Sequence, residues 1–236
     1  MGSALLPFSD FMILALLGGL VAIDETAFLQ IMISRPLVAG SLVGWAFGDL
    51  DSGLFFGAMA ELIYLDALPA GAARFPDSGL ATVVGTGLIV LAGRHGMSPS
   101  AGVWLVALLM AVLVGRVGER TITFVRRRNN GLCEEAVRRL ESGQLRAVSV
   151  YHLMGLAFSF LRGMFLTFVL AMALFPVVRW AGEILPAGLD FPLIVGRNLI
   201  LCASLALGLR LFVSAKTLVY FVVGAGITWA FIGLGI

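Results

Sequence analysis

Ser34-Arg35-Pro36-Leu37-Val38-Ala39-Gly40-Ser41-Leu42-Val43-Gly44-Trp45-Ala46-Phe47-Gly48-Asp49-Leu50 is the stretch on which the fold turns. Its charge-free run, Pro36–Gly48, is too apolar for a surface loop. It is also too short to cross a bilayer, which takes about 20 residues of helix. Asp49 and Asp51 close it, and a second short run, Ser52–Ala60, ends at Glu61. Short apolar segments broken by glycine and proline mark the core of a transporter, where irregular backbone is tolerated because it lines a cavity. Gly40, Gly44, Gly48, Gly53, Gly57, Pro69, Gly71 and Pro76 supply those interruptions over Arg35–Asp77. The alternative for any one glycine is that it lets two helices approach closely.

The rest of the chain agrees with a membrane setting. Mean hydropathy is +1.02, and only 13% of the 236 residues are charged, against about 25% in a soluble domain. Apolar residues are spread throughout, so no single anchor carries a soluble head. Continuous runs rich in Leu, Ala, Gly and Val argue against a β-barrel, which needs short alternating strands. The expected fold is an all-α polytopic membrane protein. It is a bundle of transmembrane helices with broken or re-entrant segments in the N-terminal half. Only Gly96–Gly115 and Thr217–Ile236 are charge-free over a full crossing. Residues 1–23 do not read as a cleaved signal peptide, because no basic segment precedes the apolar run and Asp10 interrupts it.

Arg116–Arg146 is the one hydrophilic stretch, and it holds half of the basic residues. The positive-inside rule puts it in the cytoplasm. Leu132, Ala136, Val137 and Leu140 share a helical face, which predicts a short amphipathic helix on the inner leaflet. The chain thus divides into a membrane region over 1–115 with the candidate binding core, a basic cytoplasmic loop with a short amphipathic helix over 116–146, and a second membrane region over 147–236. The net charge of +2 and the lack of a basic face outside this loop exclude nucleic acid as a ligand. Arg162, Arg179, Glu183, Asp190, Arg197, Arg210 and Lys216 fall near expected segment ends, where long side chains reach the interface.

Eight carboxylates lie in the first 77 residues: Asp10, Asp24, Glu25, Asp49, Asp51, Glu61, Asp66 and Asp77. Only Arg35 and Arg74 oppose them there. Ionisable groups at membrane depth are costly and tend to face a protein-lined pathway. Asp24 and Glu25 are adjacent, so they point to different helix faces; the pair can also sit at a membrane edge. Glu61 interrupts an apolar run and needs donors, from a ligand or from Arg35 or Arg74. Asp77 precedes an apolar run and is placed to cap it. Carboxylates of this kind suit a polyol, because each accepts two hydroxyl protons in charge-assisted bonds. Trp45, Tyr64 and Phe75 are candidates for an apolar wall, or are ordinary packing residues. The candidate substrate-binding residues are Glu61, Asp77, Asp24 and Asp66, with Arg35 and Arg74 as charge partners. No catalytic residue, metal site or cofactor is expected: metalloprotease, serine-hydrolase and P-loop motifs are absent. Cys133 and Cys202 have no metal-type spacing.

Ser34-Arg35-Pro36 through Gly44, Gly48-Asp49-Leu50, Gly53, Gly57, Glu61-Leu62-Ile63-Tyr64-Leu65, Gly71-Ala72-Ala73, Pro76-Asp77 and Gly85-Thr86 together resemble the membrane subunit IIC of the mannose/fructose/sorbose family of the bacterial phosphotransferase system. The resemblance is specific over 34–87 and rests mainly on hydropathy beyond 150. It implies a sugar permease of the bacterial inner membrane that works with a IID membrane subunit. Soluble IIA and IIB subunits then relay phosphate to a hexose-type sugar on the cytoplasmic side. It further implies an elevator-like mobile core, Glu61 and Asp77 in the sugar-handling region with Asp24 nearby, and a homo-oligomer of IIC–IID units. Arg74-Phe75 departs from the small residues the family places before Pro-Asp. Two other classes stay open. One is a non-transporting regulatory or assembly subunit of the same fold. The other is an intramembrane acid–base enzyme using Glu61 and Asp77.

Overall fold

A computed structural model describes residues 8–28, 30–65, 74–97, 100–184, 193–209, 219–220 and 223–224. Among these the chain is helical, in the order α1 (Phe8–Thr26), α2 (Pro36–Phe47), α3 (Leu50–Ile63), α4 (Ser78–Arg94), α5 (Ala101–Glu141), α6 (Arg146–Ile184) and α7 (Leu193–Leu209). This is the expected all-α bundle. Asp66, Pro69 and Gly71, and nearly all of Thr217–Ile236, lie outside the described residues.

The helices α2 and α3 form the predicted short pair. With 12 and 14 residues, each is about 20 Å long and shorter than the roughly 30 Å hydrocarbon core. Pro36 at the start of α2 supplies a helical φ where its missing N–H costs nothing. Gly48 ends it with φ 81°, a left-handed conformation that glycine takes without steric cost. Asp49 then caps α3 by accepting from the Ser52 N–H at 3.1 Å. The two helices touch along glycines. A Cβ on Gly53 would sit 2.5 Å from the Gly40 carbonyl and 2.7 Å from the Gly44 Cα. Backbone therefore meets backbone, and close packing is the role these glycines play.

The centre is α4. Every residue from Ser78 to Ala92 is buried, enclosed by α1, α2, α3, α5 and α6. A helix that is apolar all round is a core helix. Beside it α1 runs against α6: Gly163 lies against the Gly18 carbonyl and Ala22, and Gly19 against Phe160.

Among the described residues, α5 and α6 are the helices long and apolar enough to cross a membrane. At 41 and 39 residues they run to about 60 Å, far beyond the rest of the bundle. The short turn 142–145 joins them as a hairpin. Here the expectation of a separate amphipathic helix lying on the leaflet fails. The basic stretch continues α5 without a break to Glu141. Leu132 and Ala136 face Val148 and Leu156 of α6 instead. Val137 and Leu140, the other two residues of that face, stay exposed.

Candidate functional site

The acids of the first third separate into three places, and only some of them meet. Asp10 is at the far end of the bundle, 4.0 Å from Arg94 Nη1 and 3.7 Å from His95 Nε2. Asp49 and Asp51 open α3. Asp24, Glu25, Glu61 and Asp77 gather where α1 ends, α2 and α4 begin and α3 finishes.

Asp24 is 3% exposed and holds the connection between α1 and α2. Its two oxygens accept from the Ile31 N–H at 2.9 Å, the Ser34 N–H at 2.8 Å and the Ser34 hydroxyl at 3.0 Å. That anchoring keeps Gln30 and Met32 at positive φ of 51° and 71°, a conformation that costs an L-residue about 1–2 kcal/mol. The carboxylate is therefore engaged in shaping the loop.

Glu61 is paired with Arg35, whose Nε donates to Oε1 at 2.8 Å and whose Nη2 donates to the same oxygen. Oε2 accepts from the Leu37 N–H at 3.1 Å. Both side chains are about one-fifth exposed. The unbroken apolar run suggested a deep position for Glu61. Instead α3 stops at Ile63, so Glu61 is in the last turn and reaches the start of α2. Arg74 is exposed and forms no ion pair with Glu61 or Asp77.

Asp77 is fully buried. Oδ1 caps α4 by accepting from the Leu80 N–H at 2.8 Å, and its own N–H donates to the Gly115 carbonyl at 3.0 Å. Oδ2 accepts from Arg162 Nη1 at 2.8 Å. Arg162 belongs to α6 and is 7% exposed at the side chain; Nη1 also reaches the Gly118 carbonyl and the Thr121 hydroxyl. Gly118 makes room, since a Cβ there would lie 2.3 Å from the Asp77 Cβ. Glu25, 5% exposed, faces the Asp77 carboxyl, with Arg162 and Arg126 as opposing charges.

Glu25 and Arg162 were not among the expected site residues. Arg162 looked like a segment end because it breaks an apolar run. In fact α6 passes straight through it. The usable signal was a lone guanidinium flanked by long apolar runs while unpaired acids lay elsewhere, since a charge held at depth needs a partner. Of the aromatics, Trp45 is exposed, Tyr64 is buried with its hydroxyl donating to the Ala111 carbonyl at 3.4 Å, and Phe75 is buried beneath the Arg126 guanidinium. They do not form one wall. Among the described residues no group of His, Cys, Asp and Glu is placed to hold a metal ion, and Cys133 and Cys202 are free and exposed.

The family of PTS system sorbose-specific IIC components matches residues 8–233. The chain is 30% identical over 138 residues to the fructose permease IIC component of Bacillus subtilis (strain 168), covering 58% of this chain and 48% of that one. It is 32% identical over 145 residues to the mannose-specific EIIC component of Escherichia coli (strain K12), covering 61% and 50%. It is 28% identical over 128 residues to the sorbose-specific EIIC component of Klebsiella pneumoniae, covering 54% and 45%. These matches span about half the length of the curated relatives. A solved structure titled as a membrane protein superposes with a TM-score of 0.67 at 24% identity, over 99% of this chain and 92% of that one.

Proposed function

The chain belongs to the family of sorbose-specific IIC components of the phosphotransferase system, and on that premise we propose that it is a sugar-permease subunit of the mannose/fructose/sorbose type. It passes a hexose-type sugar across the bacterial inner membrane in several crossings. The supporting observation is the short glycine-packed hairpin of α2 and α3, laid against the buried α4 and ending beside the Glu61–Arg35 and Asp77–Arg162 pairs. Helices too short to cross need protein around them at membrane depth, which is the setting of a substrate path. The hairpin and α4 make a compact body, and α5 and α6 are the long elements against which it can move. That division fits an elevator.

The basic end of the α5–α6 hairpin sets the orientation through the positive-inside rule. This supports an orientation with the Asp77 level toward the cytoplasm and Asp10 toward the outside. A IID subunit is the membrane partner, IIA and IIB carry the phosphoryl group, and IIB delivers it to the sugar on the cytoplasmic side. The working unit is a homo-oligomer of IIC–IID pairs in membrane lipid. A second reading has one observation in its favour. Glu61 and Asp77 are already satisfied by arginines of this chain, which suits a non-transporting assembly subunit.

Uptake of labelled hexoses by a strain deleted for the chain separates the two. Complementation by the wild type restores uptake under the permease reading, and Glu61→Gln restores less of it at equal membrane abundance. Unchanged uptake in the deletion strain removes that reading.

A further inference from the structure

A cavity of about 190 Å³ opens between the end of α1 and the facing sides of α5 and α6. Thr26, Arg126, Asn129, Asn130, Ser159 and Arg162 supply its polar lining, and no carboxylate is among the lining residues. It is much larger than the roughly 30 Å³ share of one water molecule.

Its donors are unevenly used. The Thr26 hydroxyl donates to the Ala22 carbonyl and the Ser159 hydroxyl to the Gly155 carbonyl. Asp77 takes Nη1 of Arg162, while Nη2 is buried without a hydrogen-bond partner among the described residues. Asn129 Oδ1 is buried and unpartnered in the same sense. Its amide can turn either end inward, since oxygen and nitrogen exchange by a flip. The Arg126 guanidinium is positioned by the Phe75 ring, 5.1 Å from its centroid. Buried polar groups are normally satisfied. Glu25 and Asp77 lie behind these arginines rather than on the cavity wall, so the unpartnered Arg162 nitrogen is open to an acceptor that enters from outside the chain.

A second cavity, of about 350 Å³, shares Thr26 and Asn129 with the first. Leu132, Ala136, Val148 and Leu156 make it mainly apolar, with Tyr151 and His152 on its wall. It gives room to whatever carries the charged group.

We propose that Arg126, Arg162 and Asn129 form a binding site for the phosphate group of an organic phosphate, whose remaining part lies in the adjoining cavity. Arg162 would offer Nη2 alone, because Nη1 is held by Asp77, and guanidinium donors form strong charge-assisted bonds with phosphate oxygens. The source is a soluble sugar phosphate or an anionic phospholipid headgroup. The site does not depend on sugar transport by the chain.

The test uses the full chain purified in detergent. Calorimetric titration with inorganic phosphate and with a hexose 6-phosphate reads the soluble source. Native mass spectrometry from nanodiscs of equal phosphatidylglycerol and phosphatidylcholine reads the lipid source, as selective retention of the anionic lipid. Arg126→Gln and Asn129→Leu are the decisive variants, because Arg162 also supports Asp77 and its loss can disturb folding. Gly155→Leu is a third: it points into the larger cavity, where the nearest atom to a Cβ is Asn129 Nδ2 at 3.5 Å. Loss of one charged donor should weaken binding about tenfold or more. A tenfold loss for either soluble phosphate, or loss of phosphatidylglycerol selectivity, supports the site and identifies its source. Absence of both in the parent chain, or parent-like binding by Arg126→Gln and Asn129→Leu, overturns it.

Discussion

Replacing Arg162 by Met should unfold more of the protein than any exposed substitution can. The guanidinium is 7% exposed and its partner Asp77 not at all. Removing it leaves the Asp77 carboxylate buried with its charge unopposed, although the Leu80 N–H still donates to it. It also leaves Glu25 facing that carboxylate. Breaking a buried pair by deleting one partner costs about 3–5 kcal/mol, whereas replacing both members together is often close to neutral. Asp77→Asn retains an acceptor for the cap of α4, so Arg162→Met with Asp77→Asn should recover to within about 1 kcal/mol of the parent. The expected interaction energy in the cycle is then about 2–4 kcal/mol. Unfolding in a mixed detergent series, followed by tryptophan fluorescence of all four proteins, reads it. If Arg162→Met is as stable as the parent, or the double variant loses the sum of the single losses, the pair is not the buried junction between α4 and α6 described here.

Gly53→Leu forces α2 and α3 apart, because the new Cβ meets the Gly40 carbonyl at 2.5 Å and backbone cannot yield as a side chain does. A loss of at least about 1–3 kcal/mol is expected, seen as a lower yield of monodisperse protein on size exclusion. Asp24→Ala releases two backbone N–H donors and the Ser34 hydroxyl. Cleavage by a soluble protease should therefore rise within 27–35 while the other helices stay protected. Glu61→Gln affects a pair about one-fifth exposed, so stability should change by no more than about 1 kcal/mol in the same unfolding series. Cys133 is exposed on the α5–α6 hairpin and should react with a membrane-impermeant thiol reagent in inside-out vesicles and not in right-side-out ones.

That these two segments are short was legible, since charges close each apolar run; that glycines 40, 44, 53 and 57 pack them against each other stood in the sequence only as the alternative to a broken helix. Asp77 as a cap was legible too, since an acid before an apolar run is a local signal. What the chain hid were relations across distance. Glu61 looked internal because its run of apolar neighbours continues, and nothing local shows that α3 stops at Ile63. Arg162 looked like an edge because hydropathy breaks there, although α6 continues on both sides and the acid it meets is 85 positions away. The basic stretch read as a loop because charge suggests solvent. Helical geometry and a facing helix made it the outer half of a hairpin instead.

The account stands or falls on whether sugar passes through this subunit. Proteoliposomes should be prepared with the chain and its IID partner, with IIA, IIB, the general phosphotransferase proteins and phosphoenolpyruvate enclosed. Internal accumulation of labelled sugar phosphate is the predicted result, abolished when the chain is omitted. Equal accumulation without the chain, or none in the complete system while binding of the sugar is retained, would contradict it.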